Sequence, residues 1–99
     1  MTKFCSNEIN LDTCLVVASD QITSQLGDES VILGLSDGMY YGLDAIGTRI
    51  WGLLDCPQSA RRICEALRED YEVQAVECED AVLALLRDLK TRALIEIRP

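Results

Sequence analysis

Two β-prone runs around an Asp-Gly pair constrain this sequence more than any other feature. The segment SVILGLSDGMYYGL, residues 30–43, is rich in β-branched and aromatic residues on both sides of Asp37-Gly38. That dipeptide favours the positive φ angles of a two-residue type I′ turn, so the segment predicts a β-hairpin with Leu35 opposite Tyr40. Opposed residues share a face. Since neither face is purely polar, we expect both faces to be at least partly covered.

The rest of the chain predicts one further strand and three helices. The runs CLVVAS and QITSQL, within residues 14–26, indicate one interrupted strand, and Gly27-Asp28 indicates a turn. Capping residues and apolar periodicity predict helices over residues 45–54 after Asp44, over residues 60–70 after Ser59, and over residues 75–92. The buried side of the first helix is expected to comprise Ile46, Ile50, Trp51 and Leu54. The fold class is therefore α+β and winged helix-turn-helix-like, with a small antiparallel three-stranded sheet followed by three helices.

The third helix carries a wider apolar arc than one core contact requires. Its core stripe is predicted to comprise Cys78, Val82, Leu85, Leu86 and Leu89. Val76, Leu83 and Leu94 fall together on an adjoining flank. This flank either packs against the sheet or the terminal LIEI segment, or it lines a groove.

Length and segment composition indicate one domain. The 99 residues suit a single domain over residues 13–99, preceded by a mobile arm over residues 1–12, which are polar and mixed. The N-terminus resembles neither a signal peptide nor a transit peptide, and the apolar runs are far shorter than the roughly 20 residues that span a bilayer. We expect a cytoplasmic protein that does not engage a membrane.

Several functional classes are disfavoured by composition. The chain has no histidine, its five cysteines lack metal-site or redox spacing, and there is no glycine-rich phosphate loop. We therefore expect no catalytic residues, no metal and no cofactor. A winged-helix nucleic-acid binder is the main rival, but the net charge of −8 opposes phosphate contacts. A dimerisation module remains the other alternative.

The order and spacing of several short motifs match a known family. They are YYGL at residues 40–43, Ile50-Trp51, Tyr71 with Val73, and Asp80-Ala81-Val82. Together the motifs place residues 29–97 in a stretch that resembles the PqqD-like peptide chaperones, the recognition elements for ribosomally made, modified peptides. Two departures stand out. Ala93 occupies a position where the family usually has glycine, and Gln74-Ala75 replaces a proline-containing helix start.

The resemblance implies a function as well as a fold. It implies that the leader segment of a precursor peptide adds as a strand to a sheet edge and rests against the third helix. The residues expected to bind the peptide are Met39, Tyr40, Tyr41, Gly42 and Leu43 on the strand, with Val76, Leu83 and Leu86 on the helix. Partners implied are a leader peptidase and a cyclase, as in lasso-peptide biosynthesis, or another modifying enzyme such as a radical enzyme.

Overall fold

Two small sheets and three helices make up the chain. A computed structural model describes residues 9–98. In chain order its elements are β1 (Cys14–Val17), β2 (Gln21–Leu26), β3 (Glu29–Gly34), β4 (Tyr40–Leu43), α1 (Ala45–Leu53), β5 (Gln58–Ser59), α2 (Ala60–Asp70), α3 (Ala75–Thr91) and β6 (Ile95–Ile97). Both sheets are antiparallel, ordered β2-β3-β4 and β5-β1-β6. The α+β class is confirmed, and the predicted three-stranded sheet is one of two.

The expected interrupted strand is in fact two strands in different sheets. Val17 pairs with Ile95 in β6, whereas Gln21 pairs with Gly34 in β3. The polar residues between β1 and β2 form a bend. The two segments also differ in surroundings, because β1 is largely buried and β2 is largely exposed. A change from an apolar to a polar run was the sequence signal for this division.

The β3–β4 hairpin forms, but its register differs from the prediction. Leu33, not Leu35, lies opposite Tyr40. The Gly34 N–H donates to the Met39 carbonyl, so the loop has four residues, from Leu35 to Gly38. Within it the Asp37 carboxylate accepts a hydrogen bond from the Met39 N–H at 3.0 Å, as aspartate often does in turns. The shift is two residues, and side chains alternate with a period of two. The paired side chains of β3 and β4 therefore stay on their predicted faces.

The inner face of the β2-β3-β4 sheet is covered by α1. Ile32 is fully buried there. Two polar contacts fix the helix on the sheet: the Trp51 Nε1–H donates to Thr23 Oγ1 at 3.0 Å, and the Ser30 and Thr48 hydroxyls share a hydrogen bond of 2.8 Å. Buried polar groups are thus paired where helix and sheet meet.

We expected both faces of the hairpin to be at least partly covered, and the outer face of the sheet is much the more open of the two. Val31 and Leu33 project outward and are half-buried. Around them Ile22, Leu26 and Tyr40 are 54%, 73% and 70% exposed. Apolar side chains therefore remain on a solvent-facing surface, which in small proteins often marks a contact site.

The first two helices begin at their predicted caps. The Asp44 carboxylate accepts from the Gly47 N–H at 2.8 Å, and the Ser59 hydroxyl accepts from the Arg62 N–H at 3.2 Å. Each side chain pairs one of the helix N–H groups that lack an intrahelical partner. In α1 the predicted buried side is confirmed except for Ile46, which is exposed at the first turn.

The third helix ends in a left-handed residue. Ala93 has φ of 61°, its N–H donates to the Lys90 carbonyl at 3.0 Å, and the Leu94 N–H donates to the Leu89 carbonyl at 3.0 Å. These two bonds define a Schellman motif, in which glycine normally occupies the left-handed position. The motif turns the chain into β6 and buries Leu94. Ala93 therefore adopts a conformation that disfavours its side chain.

Part of the predicted N-terminal arm is packed. Ile9 is almost completely buried, and its carbonyl accepts a hydrogen bond from Arg87 Nη2 at 3.2 Å. The Leu11 carbonyl accepts from the Arg61 N–H at 2.9 Å. The boundary predicted at residue 13 is therefore too late, and the packed chain includes residues 9–12. Residues 1–8 of the predicted arm lie outside the described part.

The hydropathy of the helices was compared with that of membrane-spanning helices. Over residues 9–98, none of the helices combines the length and the apolar character that a bilayer crossing requires.

Candidate functional site

Strand β4 forms one edge of the β2-β3-β4 sheet. Antiparallel pairs alternate between hydrogen-bonded and non-hydrogen-bonded residues. The Gly34 N–H donates to the Met39 carbonyl at 3.0 Å, which fixes the phase of that alternation. Tyr40 and Gly42 therefore direct their backbone N–H and C=O groups away from β3. The edge offers these groups to an added strand.

A groove runs between this edge and α3. It has a volume of about 500 Å³ and is lined by Tyr41, Gly42, Leu43, Asp44, Ile46, Gly47, Ile50, Ala81 and Leu85. Most of these side chains are apolar. Gly47 lets the start of α1 approach β4 closely, since a Cβ there would lie 3.0 Å from Leu43 Cδ2. The exposure of Ile46 follows from its place in the groove wall.

One end of the groove is fastened by polar contacts. The Tyr41 hydroxyl donates to Asp88 Oδ2 at 2.6 Å, and Arg92 Nε lies 3.4 Å from Asp88 Oδ1. The Arg92 guanidinium also lies over the Tyr41 ring, 4.8 Å from its centroid. Burial, together with the bond to the Asp88 carboxylate, raises the pKa of Tyr41 to about 12. The contacts hold β4 against the last turns of α3 while the phenol is neutral.

The strand residues predicted to bind peptide lie together on the edge. Tyr41, Gly42 and Leu43 line the groove. Met39 precedes the strand and is 59% exposed, and Tyr40 projects from the outer face. All five are thus on or next to one edge, but they do not share one face.

The helix residues predicted to bind peptide are not in this groove. Leu86 is fully buried in the core. Val76 and Leu83 lie on the opposite flank of α3 from Ala81 and Leu85, as the helical rotation of about 100° per residue shows. That opposite flank also carries Arg87, which bonds to the chain before β1.

The sequence analysis did not predict that Ala81 and Leu85 line the groove, and the reason can be identified. Leu85 was assigned to the core stripe, yet it is only half-buried, and its free side faces the groove. Ala81 is one turn earlier and small, so it widens the groove without adding an apolar signal. The sequence signal for this flank was the spacing of Ala81 and Leu85, which are four residues apart and so lie on one side of the helix. Asp88, three residues later, extends the same side.

A second, smaller depression adjoins the groove on the outer face of the sheet. It has a volume of about 290 Å³ and is lined by Leu26, Glu29, Ser30, Val31, Gly42, Leu43 and Asp44. Gly42, Leu43 and Asp44 line both depressions, so β4 separates two neighbouring apolar surfaces.

Groups that could bind a metal ion, and the buried cysteines, were compared with the position of the groove. Within residues 9–98 no three His, Cys, Asp or Glu side chains are arranged to hold a metal ion. Cys64 and Cys78 are buried between α2 and α3, where the Cys78 thiol lies 3.9 Å from the Cys64 carbonyl oxygen. Burial raises the pKa of Cys64 to about 12, so this thiol is protonated at neutral pH.

Comparison with known proteins gives this geometry a family. Residues 29–95 match the family model described as Coenzyme PQQ synthesis protein D (PqqD). The chain belongs to the PqqD family. The matched stretch contains β3, β4 and all three helices, and hence every residue that lines the groove.

One solved structure adds detail to the PqqD assignment. This PqqD-family chain is similar to the structure described as TbiB1 in complex with the TbiA(beta) leader peptide. The two share 33% sequence identity and superpose with a TM-score of 0.77, over 82% of this chain and 94% of that one. No curated protein matches the chain.

Proposed function

We propose that this PqqD-family chain binds the leader segment of a ribosomally synthesised precursor peptide by strand addition to β4. The single observation that carries the proposal is the edge of β4, which has β3 as its only partner strand within residues 9–98 and lies beside an apolar groove on α3. An extended peptide satisfies the outward N–H and C=O groups of Tyr40 and Gly42, and its alternate side chains enter the groove. Main-chain bonds supply affinity, and the groove selects large apolar side chains.

Two further observations support the proposal, the first for leader binding and the second for β4 as its place. The related TbiB1 was solved with a leader peptide, and it shares the fold of this chain over most of its length. The sheet has a second edge at β2, but the groove follows β4, where α1 and α3 supply walls. A peptide on β4 gains both backbone pairing and side-chain burial.

The proposed role is positioning, not chemistry. The chain has no histidine, and the groove wall offers one carboxylate, Asp44, whose Oδ1 already accepts the Gly47 N–H. Separate enzymes would act on the presented precursor. We propose that they are a lasso-type leader peptidase and a cyclase. Fixing the leader in an extended form lowers the ordering cost of its encounter with those enzymes and raises its effective concentration.

Binding is tested with a pair of matched variants. Leu85→Glu places a charge in the groove, whereas Val76→Glu places the same charge on the opposite flank, where Val76 is 67% exposed. The probes are fluorescent leader segments from short reading frames encoded next to this gene, together with the TbiA(beta) leader. We expect Leu85→Glu to weaken binding by more than about tenfold, because a buried unpaired charge costs more than 1.4 kcal/mol. Val76→Glu should bind like the wild type.

Two results would contradict the proposal. The first is bound leader amides that exchange as fast as those of the free peptide, since strand addition requires them to be hydrogen-bonded. The second is equal binding by Leu85→Glu and Val76→Glu, with both variants folded by circular dichroism. Presentation is tested separately by mass spectrometry of precursor with a leader peptidase, which should cleave faster when this chain is present and not at all when the peptidase is omitted.

A further inference from the structure

Gly42 leaves the outer face of β4 bare at the centre of the proposed binding edge. It pairs with Val31, so a side chain at this position would project outward. A Cβ built on Gly42 has no atom within 4 Å among residues 9–98, its two chain neighbours aside. Gly42 also lines the depression of about 290 Å³. Beside the bare position lie the half-buried Val31 and the exposed Leu26. The apolar side chains of Val31 and Leu26 therefore adjoin a position at which β4 has no side chain of its own.

Strand addition would bring a side chain to that place. A residue directly opposite Gly42 shares its face, whether the added strand is parallel or antiparallel. It therefore points away from the α3 groove, and the residues on either side of it point into the groove. Tyr40, 70% exposed, is its diagonal neighbour on the outer face. Diagonal neighbours are within reach of aromatic and long side chains.

We propose that the leader is recognised on both faces of the extended sheet, with an aromatic or large aliphatic side chain lying over Gly42 against Val31 and Leu26. This inference rests on the proposed function and specifies its ligand. An aromatic side chain on one strand covers a bare glycine on its neighbour and removes the apolar surface around it from water. The leader then carries two apolar residues an odd number of positions apart, one for each face.

The occupant is the leader and not a second protein because the two depressions share the residues at the β4 edge. Gly42, Leu43 and Asp44 line both depressions, so a peptide added to β4 lies next to the groove as well as the outer one. Glu29 and Asp44 supply carboxylates at its rim. Their negative charge disfavours an acidic side chain there. The preference for a large apolar side chain comes from Leu26 and Val31, which line the same depression.

The test compares specificity in two glycine variants. Gly42→Phe directs a ring of the chain's own towards the outer depression. The Cβ has open space at this position, and β strands favour aromatic residues. Gly52→Phe is the control, since Gly52 also has open space at its Cβ but lies on α1. The probes are dodecapeptides selected on the wild-type chain from a random library, each then scanned with alanine. Leu85→Ala is scanned in parallel to identify the peptide positions that enter the groove.

The expected result is a change of preference at one peptide position. In the wild type, alanine at the outer position should weaken binding about five- to tenfold, which corresponds to losing roughly 50 Å² of apolar contact. In Gly42→Phe the same change should weaken binding less than about twofold, while Gly52→Phe keeps the wild-type preference. The position coupled to Gly42 should lie an odd number of residues from any position coupled to Leu85.

Other outcomes distinguish failure of the outer site from failure of the proposed strand addition. If an undiminished preference persists in Gly42→Phe, or no selected peptide has a large residue at odd spacing, the outer site does not exist. Amide protection and coupling to Leu85 would still support strand addition. If the selected peptides bind without amide protection, the proposed function fails and the outer site fails with it.

Discussion

The left-handed alanine at the end of α3 makes Ala93→Gly a stabilising substitution. Ala93 has φ of 61° and completes the Schellman motif that joins α3 to β6. Its Cβ is crowded by the following carbonyl in this conformation, which costs roughly 1–2 kcal/mol relative to glycine. Glycine removes that crowding, and both hydrogen bonds of the motif are made by backbone groups that glycine retains.

The net gain is smaller than the crowding energy. Glycine makes the unfolded chain more flexible, which lowers the free energy of unfolding by about 0.4–1 kcal/mol. The difference is a stabilisation of about 0.8 kcal/mol, and for a domain of this size it raises Tm by about 5 °C. The groove residues are untouched, so leader binding should be unchanged.

Urea denaturation and thermal melting provide the assay, and Ala84→Gly provides the control. Ala84 is exposed in the middle of α3, so the same chemical change there should cost about 1 kcal/mol. The two variants should therefore shift the urea midpoint in opposite directions with equal slopes. If Ala84→Gly is destabilised as expected but Ala93→Gly is neutral or destabilised too, the left-handed conformation of Ala93 carries no strain and the reasoning is wrong.

Two further predictions concern titratable groups. Tyr41 has a pKa raised to about 12 in the folded chain against about 10 when unfolded, so its contribution is fully present below pH 10 and is lost as pH rises towards 12. The stability difference between wild type and Tyr41→Phe should be about 1 kcal/mol at pH 8 and shrink over that range, as urea melts at each pH will show. A constant difference would exclude the bond to the Asp88 carboxylate as its source. For the thiols, Ellman's reagent at pH 8 should modify the exposed Cys56 quickly and Cys64 only as the chain unfolds, because burial raises the pKa of Cys64 to about 12. Peptide mapping checks the order, and equal rates would contradict it.

Local chemistry made much of this fold predictable. The caps at Asp44 and Ser59 each have a side-chain oxygen suited to a free N–H, and both helices begin there. The hairpin was also predictable, but its register was not. Asp37-Gly38 lies inside a wider loop, closed by the bond from the Gly34 N–H to the Met39 carbonyl, in which the Asp37 carboxylate accepts the Met39 N–H. Competition between two turn geometries separated by a small energy is not resolved by a dipeptide alone.

The groove flank of α3 was less predictable, for a geometric reason. Apolar residues adjoin the core stripe on both sides of the helix, and helical periodicity does not say which side a sheet edge approaches. Leu83 was favoured because it looked surplus to the core, whereas Leu85 looked like part of it. The choice is made by tertiary contacts: the segment at Ile9 lies towards one flank through Arg87, and β4 faces the other through Tyr41 and Asp88.

The pairing of β1 with β6 has a consequence for the order of folding. Leu15 and Ile97 are about 80 positions apart, so their contact closes nearly the whole chain into a ring, and the entropy lost in closing a loop grows with its length. The β2-β3-β4 sheet consists of successive hairpins and can form early. Since β6 follows directly from the end of α3, the β1–β6 pairs also restrain the last turn of α3, where Asp88 and Arg92 contact Tyr41. Pairing between segments far apart in sequence therefore helps to keep β4 against α3.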